Sequence, residues 1–283
     1  MDMNLFVTLD ARYAAPLRVM LFSLCESNPR HRFDVYVLHS SLGETELAQI
    51  RAAVPPAQCR IIDRPVPPES FADMPCSDRF PKEACYRIFA AQLLPDTLDR
   101  ALYLDPDIVV RQDLEALYTM ALGDSFFVAA THMFLSMQIV NWLRFDMKRG
   151  SQYINSGVML FHLARLRQEQ KTQAVYDFIE KYRKRLVLFD QDILNGVYHT
   201  RTAYISPRLY NLDEKYMFLN NINPWQIGNA IRLKWVRSNT AIIHFNGPNK
   251  PWLPKYKGRF KAEFYDPVIA AMQAQGMDVP GDG

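Results

Sequence analysis

Long apolar runs are missing from this sequence of 283 residues. No stretch approaches the roughly 20 apolar residues that a transmembrane helix requires. The amino terminus, Met-Asp-Met-Asn-Leu-Phe-Val, has no basic region followed by an apolar core, so the sequence does not predict a signal peptide. We therefore expect a cytoplasmic protein that associates with a membrane at most peripherally, at its inner face.

Cysteine is also scarce. Cys25, Cys59, Cys76 and Cys85 form neither a C-x-x-C pair nor a zinc-binding spacing. This usage predicts free thiols in a reducing compartment, and it argues against a disulfide framework or a structural zinc site.

The charge balance excludes one class of partner. The chain has 33 lysines and arginines against 30 acidic residues, a net charge of +3, and no arginine-rich tract, so we expect no nucleic-acid partner. A hydrophobic content of 49% is ordinary for a globular protein of this length. Because no repeat or clear linker occurs, we predict a single domain over residues 1–275 and a disordered tail over residues 276–283.

Short runs with strand composition alternate with helical patterns. Residues 4–9, 33–38 and 60–63 are typical of strands, and residues 44–54 have helical periodicity. A further helix is predicted over residues 82–94. This alternation predicts an α/β fold with a mostly parallel central sheet and helices on both faces.

The most informative stretch is residues 100–110. A short apolar strand over residues 101–104 stops at Asp105-Pro106-Asp107, because Pro106 has no N–H to donate. A bend at Pro106 would bring the two carboxylates together at the sheet edge where α/β proteins bind ligands. Two such oxygen ligands suit Mg²⁺ or Mn²⁺ holding a diphosphate. A simple turn stabilised by the aspartates is the alternative.

Other polar groups stand at strand ends or helix starts in the same way. Asp10, Asn155 and His244 each have such a position, so the fold could bring them to the same edge. After His244, Gly247 allows close backbone approach and Lys250 offers a point charge that suits phosphate. The combination indicates a diphosphate clamp beside a metal.

Rival enzyme classes fit less well. A phosphohydrolase of the haloacid dehalogenase type also carries Asp-x-Asp after a strand, but Ile108 and Val109 stand where a glycine and a threonine are expected. A sugar nucleotidyltransferase requires a glycine-rich loop after the first strand, and residues 8–13 contain no glycine. A non-catalytic sugar-binding module stays open as the third class.

An ordered set of motifs resembles the family 8 glycosyltransferases, retaining enzymes that use UDP-sugars. The matching pieces are Thr8-Leu-Asp-Ala-Arg-Tyr13, Tyr86-Arg87, Leu102-Tyr-Leu-Asp-Pro-Asp-Ile108, Asn155-Ser-Gly157, Asp190-Gln-Asp-Ile-Leu-Asn195 and His244-Phe-Asn-Gly-Pro-Asn-Lys-Pro-Trp252. The bacterial lipopolysaccharide galactosyl- and glucosyltransferases are the most similar members. The resemblance implies the Rossmann-like nucleotide-sugar fold called GT-A.

The resemblance also implies roles for individual residues. Asp105, Asp107 and His244 would bind Mn²⁺, or alternatively Mg²⁺. In the implied donor site, Tyr13 stacks on uracil, and Thr8 and Asp10 form hydrogen bonds with it. Gly247 and Lys250 hold the diphosphate. The residues around the donor sugar are Arg87, Asn155, Asp190 and Gln191, together with Asp105. Arg12 departs from the family pattern, since relatives often have a small or amidic residue there.

The expected reaction is the retaining transfer of galactose or glucose from its UDP-sugar to a glycan or lipid-linked saccharide. Gln191, Asp190 and Arg87 are the expected catalytic residues. Gln191 is a poor nucleophile, which favours front-face attack by the acceptor, while Asp190 or Asp192 stays open as a nucleophile.

Residues 132–150, rich in Met, Phe and Trp, are a candidate lid or partner-binding surface. Together with residues 65–81 and 210–226 they have the composition of an acceptor surface.

Overall fold

A seven-stranded sheet organises the chain in a computed structural model that describes residues 1–71, 74 and 82–279. Its strand order is β3-β2-β1-β4-β7-β6-β8, and β5 and β9 form a separate pair. The strands are β1 (Asp2–Thr8), β2 (Arg32–His39), β3 (Cys59–Pro65), β4 (Arg100–Leu104), β5 (Ile108–Val110), β6 (Phe127–Ala130), β7 (Val158–His162), β8 (Thr202–Ile205) and β9 (Ile242–His244).

Most neighbouring strands of the sheet run parallel. The pairs β3–β2, β2–β1 and β1–β4 are all parallel, and so is the pair β6–β8. Among the described strands of this seven-stranded sheet, only β7 runs the other way, against both β4 and β6. The predicted α/β class with a mostly parallel sheet is confirmed.

Helices connect nearly all of these strands. The α-helices are α1 (Ala14–Ser27), α2 (Glu44–Ala52), α3 (Lys82–Tyr86), α4 (Ala90–Leu93), α5 (Glu115–Tyr118), α6 (Leu135–Phe145), α7 (Leu163–Glu169), α8 (Thr172–Tyr182), α9 (Phe189–Tyr198), α10 (Pro207–Tyr210), α11 (Glu214–Ile222), α12 (Leu233–Asn239) and α13 (Asp266–Ala274). Short 3₁₀ turns lie at Ala11–Tyr13, Pro68–Phe71, Arg87–Phe89, Arg183–Arg185, His199–Arg201 and Pro224–Asn229, and a π-helical turn at Lys261–Tyr265 leads into α13.

Strand alternation divides the core between the two faces of the sheet. Leu5 and Leu102 pack on one face, and their neighbours Phe6 and Tyr103 pack on the other. α1, α2 and α5 cover the first face, and α4, α7, α8 and α9 cover the second. Burying each large apolar side chain stabilises the fold by about 1.5–3 kcal/mol. The helices therefore lie on both faces, as predicted.

The strand order places a topological switch at the centre of the sheet. The chain moves outward from β1 to β2 and β3, and then returns to place β4 on the other side of β1. Crossovers diverge there, which leaves a crevice beyond the carboxyl ends of β1 and β4. The segments that follow Thr8 and Leu104 enter this crevice.

The end of the chain packs more closely than the sequence indicates. Met277 and Val279 lie against a third apolar cluster built on α12, α13 and the β5–β9 pair, and the buried Arg18 contacts Asp278. Residues 276–279 are thus packed on the domain instead of forming the start of a disordered tail, because they have an apolar surface to cover. Residues 280–283, like most of the loop 72–81 and Cys76, lie outside the described residues, and a single domain stays a prediction.

The structure also bears on the predictions about the cysteines and about membrane-spanning helices. Cys25 and Cys59 are buried free thiols, and Cys85 is buried as well. Within the described part of the chain, no helix is long and apolar enough to cross a bilayer.

Candidate active site

A cavity of about 230 Å³ opens at the switch point. Its lining comes from the ends of β1 and β4, from α3 with the following turn, and from the loop after β9. The lining residues are Thr8, Leu9, Asp10, Tyr13, Glu83, Ala84, Arg87, Asp105, Pro106, Asp107, His244, Asn246 and Lys250. Most of the predicted nucleotide and metal residues therefore share one crevice.

Asp105 and Asp107 converge because the chain turns at Pro106. β4 ends at Leu104 and β5 begins at Ile108, so the Asp-Pro-Asp segment forms the turn between them. β9 runs antiparallel to β5 and sets His244 opposite Ile108. The ligand atoms of Asp105, Asp107 and His244 consequently lie within 4.8 Å of one another.

The imidazole of His244 is held in one orientation. Its Nδ1 lies 2.8 Å from Oδ1 of Asn211, so Nδ1 carries the proton and donates it. Nε2 then lies 3.2 Å from Oδ1 of Asp107 and 3.6 Å from Oδ2 of Asp105. A hydrogen bond to the non-ligating nitrogen is the usual way in which proteins orient a metal-binding histidine.

Asn211 is itself held by neighbouring groups. Its Nδ2 donates to Oδ1 of Asn155 at 2.9 Å, and its carbonyl accepts from Nε2 of His132 at 2.5 Å. Nδ1 of His132 lies 2.8 Å from Oδ2 of Asp213. This chain of contacts fixes the amide, and through it His244, from behind the cavity.

The residues present fit a divalent cation. The donor set is two carboxylates and one imidazole nitrogen, which suits Mn²⁺ and also Mg²⁺. Oδ1 of Asp107 is buried and makes no hydrogen bond of good geometry in the described part of the chain, although Nε2 of His244 lies 3.2 Å away. An oxygen in that state is costly unless a cation completes its surroundings.

Charges within the site keep Asp107 ionised. Burial by itself would raise the pKa of Asp107, but Lys250 and His244 outweigh it and hold the pKa well below its usual range. The opposite balance holds for Lys250. Burial lowers its pKa, but its neighbours, chiefly Asp107, raise the pKa by more, so the net change is an increase. The ammonium of Lys250 contacts Oδ2 of Asp107 and donates to the carbonyl of Phe245 at 3.0 Å.

Arg87 enters the site because the helix predicted over residues 82–94 is interrupted. α3 ends at Tyr86, and the 3₁₀ turn Arg87–Phe89 separates it from α4. The sequence prediction of one continuous helix is therefore wrong. Glu83 and Ala84 of α3 line the same side of the cavity.

The guanidinium of Arg87 joins two acidic groups. Nη2 lies 3.0 Å from Oδ1 of Asp105, and Nε lies 3.4 Å from Oδ2 of Asp190. Burial alone would lower the pKa of Arg87, but Asp105, Tyr103 and Asp190 outweigh it and raise the pKa. Arg87 is thus a fixed cation between α9 and the candidate metal ligands Asp105, Asp107 and His244, which we call the metal-ligand group.

The Asn155-Ser156-Gly157 segment connects the metal-ligand group to α9. Oε1 of Gln191 lies 3.2 Å from the backbone N–H of Ser156 and 3.3 Å from Nδ2 of Asn155. The hydroxyl of Ser156 donates to Oδ2 of Asp190 at 3.2 Å. Burial raises the pKa of Asp190, with Arg87 opposing the effect. These residues border the cavity through Arg87 and Asp105 without appearing in its lining.

Asp192, one of the two alternative nucleophiles, is a structural residue. It is fully buried, and its oxygens accept from Tyr153 Oη at 2.5 Å, Arg144 Nη2 at 2.6 Å and the N–H groups of Val187 and Leu188. No oxygen of this carboxylate is left to attack a sugar. This environment argues against Asp192 as the nucleophile and leaves Asp190 as the alternative.

Thr8, Asp10 and Tyr13, the residues predicted to bind uracil, all line the cavity. The Tyr13 ring meets the Trp252 ring edge-on at 6.0 Å. Asp10 caps the 3₁₀ turn through the N–H of Arg12 at 2.8 Å and also pairs with the Arg12 side chain at 2.6 Å. Arg12, the departure noted in the sequence, thus competes for the carboxylate expected to bind uracil.

Gly247 and Lys250 stand on one loop after β9. Gly247 has a φ of 99°, in the region that favours glycine, so the chain can turn there. The turn brings Lys250 back over Asp107. The pairing places the predicted phosphate-binding lysine next to the metal ligands.

Sequence reasoning missed several residues of the site. Asn211 falls in residues 210–226, which the sequence indicates only as part of a candidate acceptor surface. Tyr103, whose hydroxyl donates to Asp105 at 2.5 Å, was counted only as a strand residue. Glu83 and Asn246 line the cavity and gave no distinguishing signal.

With this geometry described, a family assignment follows from comparison. The model of the family described as glycosyl transferase family 8 matches residues 4–255. The chain belongs to glycosyl transferase family 8. All of the site residues described above fall within the matched range, and the fold is the GT-A fold.

Individual relatives agree with this family assignment. A lipopolysaccharide 1,2-glucosyltransferase of Escherichia coli (strain K12) is 25% identical over 250 residues, which cover 88% of this chain and 72% of the relative. The solved structure of the galactosyltransferase LgtC with donor and acceptor sugar analogues has a TM-score of 0.78 and 28% identity, covering 95% of this chain and 96% of LgtC. A glutamine-to-glutamate active-site mutant of LgtC matches with a TM-score of 0.79 and 26% identity, and covers 96% of each chain.

Proposed function

We propose that this protein transfers glucose or galactose from its UDP-sugar to a hydroxyl of a glycan or lipid-linked saccharide, with retention at the anomeric carbon. The observation that supports this most directly is the convergence of Asp105, Asp107 and His244 at the switch point of a family 8 chain. Mn²⁺ is the proposed ion, and Mg²⁺ is the alternative. The proposed setting is lipopolysaccharide synthesis at the cytoplasmic side of the membrane.

The reaction develops negative charge on the departing UDP. A divalent ion held by Asp105, Asp107 and His244 would stabilise that charge electrostatically. Lys250 is kept as an ammonium beside Asp107, where it can contact a diphosphate oxygen. The Arg87 cation holds Asp105 in place and faces the position proposed for the donor sugar.

Retention requires either a covalent intermediate or attack from the face that UDP leaves. A retaining hydrolase uses two carboxylates about 5 Å apart, one of them as nucleophile. Here Asp192 is fully bonded, and Asp190 is engaged by Arg87 and Ser156. We therefore favour front-face attack: the acceptor oxygen bonds to the anomeric carbon as the bond to UDP breaks, and a UDP oxygen takes the acceptor proton.

A donor screen tests the proposed function. We expect the purified chain to release UDP from UDP-glucose or UDP-galactose in the presence of Mn²⁺, and to release little nucleotide from GDP- or ADP-sugars. UDP release is measured with each donor, with and without saccharide acceptors. Tight UDP-sugar binding without turnover for any acceptor would instead indicate a non-catalytic binding module, and release of inorganic phosphate would indicate a phosphohydrolase.

We expect Tyr13→Ala to weaken UDP binding by about 1–3 kcal/mol, because an aromatic ring that stacks on a base contributes that much at other stacking sites. Tyr13→Phe is the matched control, since it keeps the ring and should bind UDP nearly as well as the wild type. Calorimetry with UDP, GDP and ADP in Mn²⁺ provides the measurement. Equal affinities for the three diphosphates, or an unchanged Tyr13→Ala variant, would contradict the uracil pocket.

We expect Gln191→Ala to lower turnover by about 10²-fold, a barrier increase of about 2.7 kcal/mol, because the side chain orients the sugar without bonding to it. Gln170→Ala is the control for loss of a partly buried amide, since Gln170 bonds to Ile88 and Tyr198 away from the cavity. Intact mass spectrometry during turnover should show no hexose on the wild type, whereas Gln191→Glu could trap one. A hexose on Asp190, formed and consumed at the catalytic rate, would establish the covalent route instead.

A further inference from the structure

The outer face of α6 is apolar and exposed. Leu135, Ile139 and Leu143 recur at helical spacing, and their exposed fractions are 68%, 44% and 71%. Met137 and Val140 on the same helix are exposed as well, as are Val187 and Leu188 on the segment before α9. We call these seven residues the α6 patch.

The inner side of α6 carries two polar residues, Gln138 and Asn141, beside the apolar Phe145, which departs from the usual pattern of a surface helix. Gln138 is buried, where its Oε1 accepts from the N–H of Tyr153 at 2.6 Å and its Nε2 donates to Thr131 at 3.0 Å. Asn141 is buried beside Arg144. Because these polar groups hold the helix to the domain, the outward-facing apolar residues of α6 are not explained by folding.

A basic rim borders the α6 patch. Arg144 donates to the carbonyl of Arg185 at 2.8 Å, and Lys181 lies 3.0 Å from Asp146, so the end of α6 lies against residues 181–188. Residues 135–149 and 180–188 carry seven lysines and arginines against two acidic residues, although the whole chain has a net charge of only +3. The exposed members of the basic rim are Lys148, Arg149, Lys181, Arg183, Lys184 and Arg185.

We propose that the α6 patch and the basic rim dock on an anionic lipid bilayer. An apolar helix face flanked by cations is the pattern of helices that lie in the membrane interface, where aliphatic side chains enter the acyl boundary and cations meet lipid headgroups. At eleven residues, α6 is about 16 Å long and too short to span a bilayer. It would lie in the plane of the interface.

The charge of the rim favours a membrane over a second copy of the chain. In a symmetric dimer the same patch meets itself, so this surface would bring two basic rims together and their charges would repel. The exposed patch consists of aliphatic residues and a methionine, and it lacks the tyrosine and tryptophan that typically anchor protein partners.

The position of the patch connects it to the site. α6 follows His132, which contacts Asn211 behind His244, and Leu188 directly precedes α9, which carries Asp190 and Gln191. Docking would bring the sugar end of the site close to headgroups, where a lipid-linked acceptor displays its saccharide. This link to the acceptor rests on the proposed function, whereas the membrane contact itself does not.

Vesicle flotation tests the proposal with the full chain. We expect it to float with vesicles of phosphatidylglycerol and phosphatidylcholine, to remain behind with phosphatidylcholine alone, and to lose binding in about 1 M salt, where screening is strong. The variants Leu135→Ser/Ile139→Ser/Leu143→Ser and Lys148→Gln/Arg149→Gln/Lys184→Gln should each lower partitioning at least about tenfold. Both should keep wild-type UDP release in solution.

The control replaces three exposed arginines near β2, toward the opposite edge of the sheet, by Arg30→Gln/Arg32→Gln/Arg51→Gln, and it should float like the wild type. No flotation of the wild type, or an equal loss in the control, would overturn the proposal. A dimer in light scattering that the serine variant dissociates, without vesicle binding, would instead assign the patch to a second copy. Flotation by a chain that releases no UDP would reject the proposed function and keep the membrane surface.

Discussion

Asp107→Asn should lower hexose transfer by at least about 10³-fold, which is about 4 kcal/mol of barrier. The amide keeps the shape and one acceptor oxygen, but it removes the charge that Lys250 and His244 hold in place. A neutral ligand at this position binds a divalent cation more weakly, so UDP should also lose its Mn²⁺-dependent affinity. Turnover and calorimetry with UDP, each across a Mn²⁺ titration, measure the two losses.

The chain offers a matched control for this change. His31, Asp113 and Glu115 form a second cluster of potential ligands, but Asp113 caps the N–H of Glu115 at 2.7 Å and pairs with His31 at 3.0 Å. Asp113→Asn should therefore reduce stability without reducing Mn²⁺-dependent turnover. Full activity of the wild type in excess EDTA, or of Asp107→Asn in Mn²⁺, would reject the metal assignment.

Gly157→Ala is expected to lower turnover by at least about 10²-fold, about 2.7 kcal/mol. A Cβ at this position would lie 2.6 Å from Oδ2 of Asp105 and closer still to Cε1 of His244. Both groups are candidate metal ligands that their own partners hold, so neither can move aside without disturbing the site. Overpacking of this kind also costs about 1–3 kcal/mol of stability.

The experiment compares Gly157→Ala with Gly228→Ala, where an added Cβ meets no atom within 4 Å. Thermal unfolding and Mn²⁺-dependent UDP binding are measured for both variants. We expect Gly228→Ala to match the wild type, and Gly157→Ala to remain folded with weakened UDP binding. Wild-type turnover of Gly157→Ala would show that the backbone of this segment yields, and that close packing of Gly157 on the ligands is unimportant.

The sequence predicted the fold and the metal-ligand group because their signals are local. A proline between two aspartates at a strand end indicates both the turn and the carboxylate pair, and strand–helix alternation indicates the sheet. The strand-end position of His244 marked it as a candidate site residue, but only the family resemblance assigned it to the same metal as Asp105. The β5–β9 pair gives the physical reason for that connection.

Other residues could not be assigned because their environment is tertiary. Asp190 and Asp192 look alike at a helix start, but Asp192 points into a group of four donors and Asp190 lies beside Arg87. The helix is interrupted after Tyr86, and this interruption places Arg87 in the site, but the sequence of this stretch has a uniform helical pattern. Asn211 has a role only because β9 places His244 beside it.

The pairing of β5 with β9 also bears on how the protein acquires its activity during synthesis. Lys250 contacts Asp107 across 143 residues of sequence, and His244 pairs opposite Ile108. Closing so long a segment has an entropic cost, so we expect His244 to join the two aspartates late in folding. Until the ribosome has released β9, a nascent chain carries the two aspartates without their histidine and lysine. If the proposed cation binds at this site, its binding is coupled to completion of the fold, and it stabilises only chains that have closed this segment.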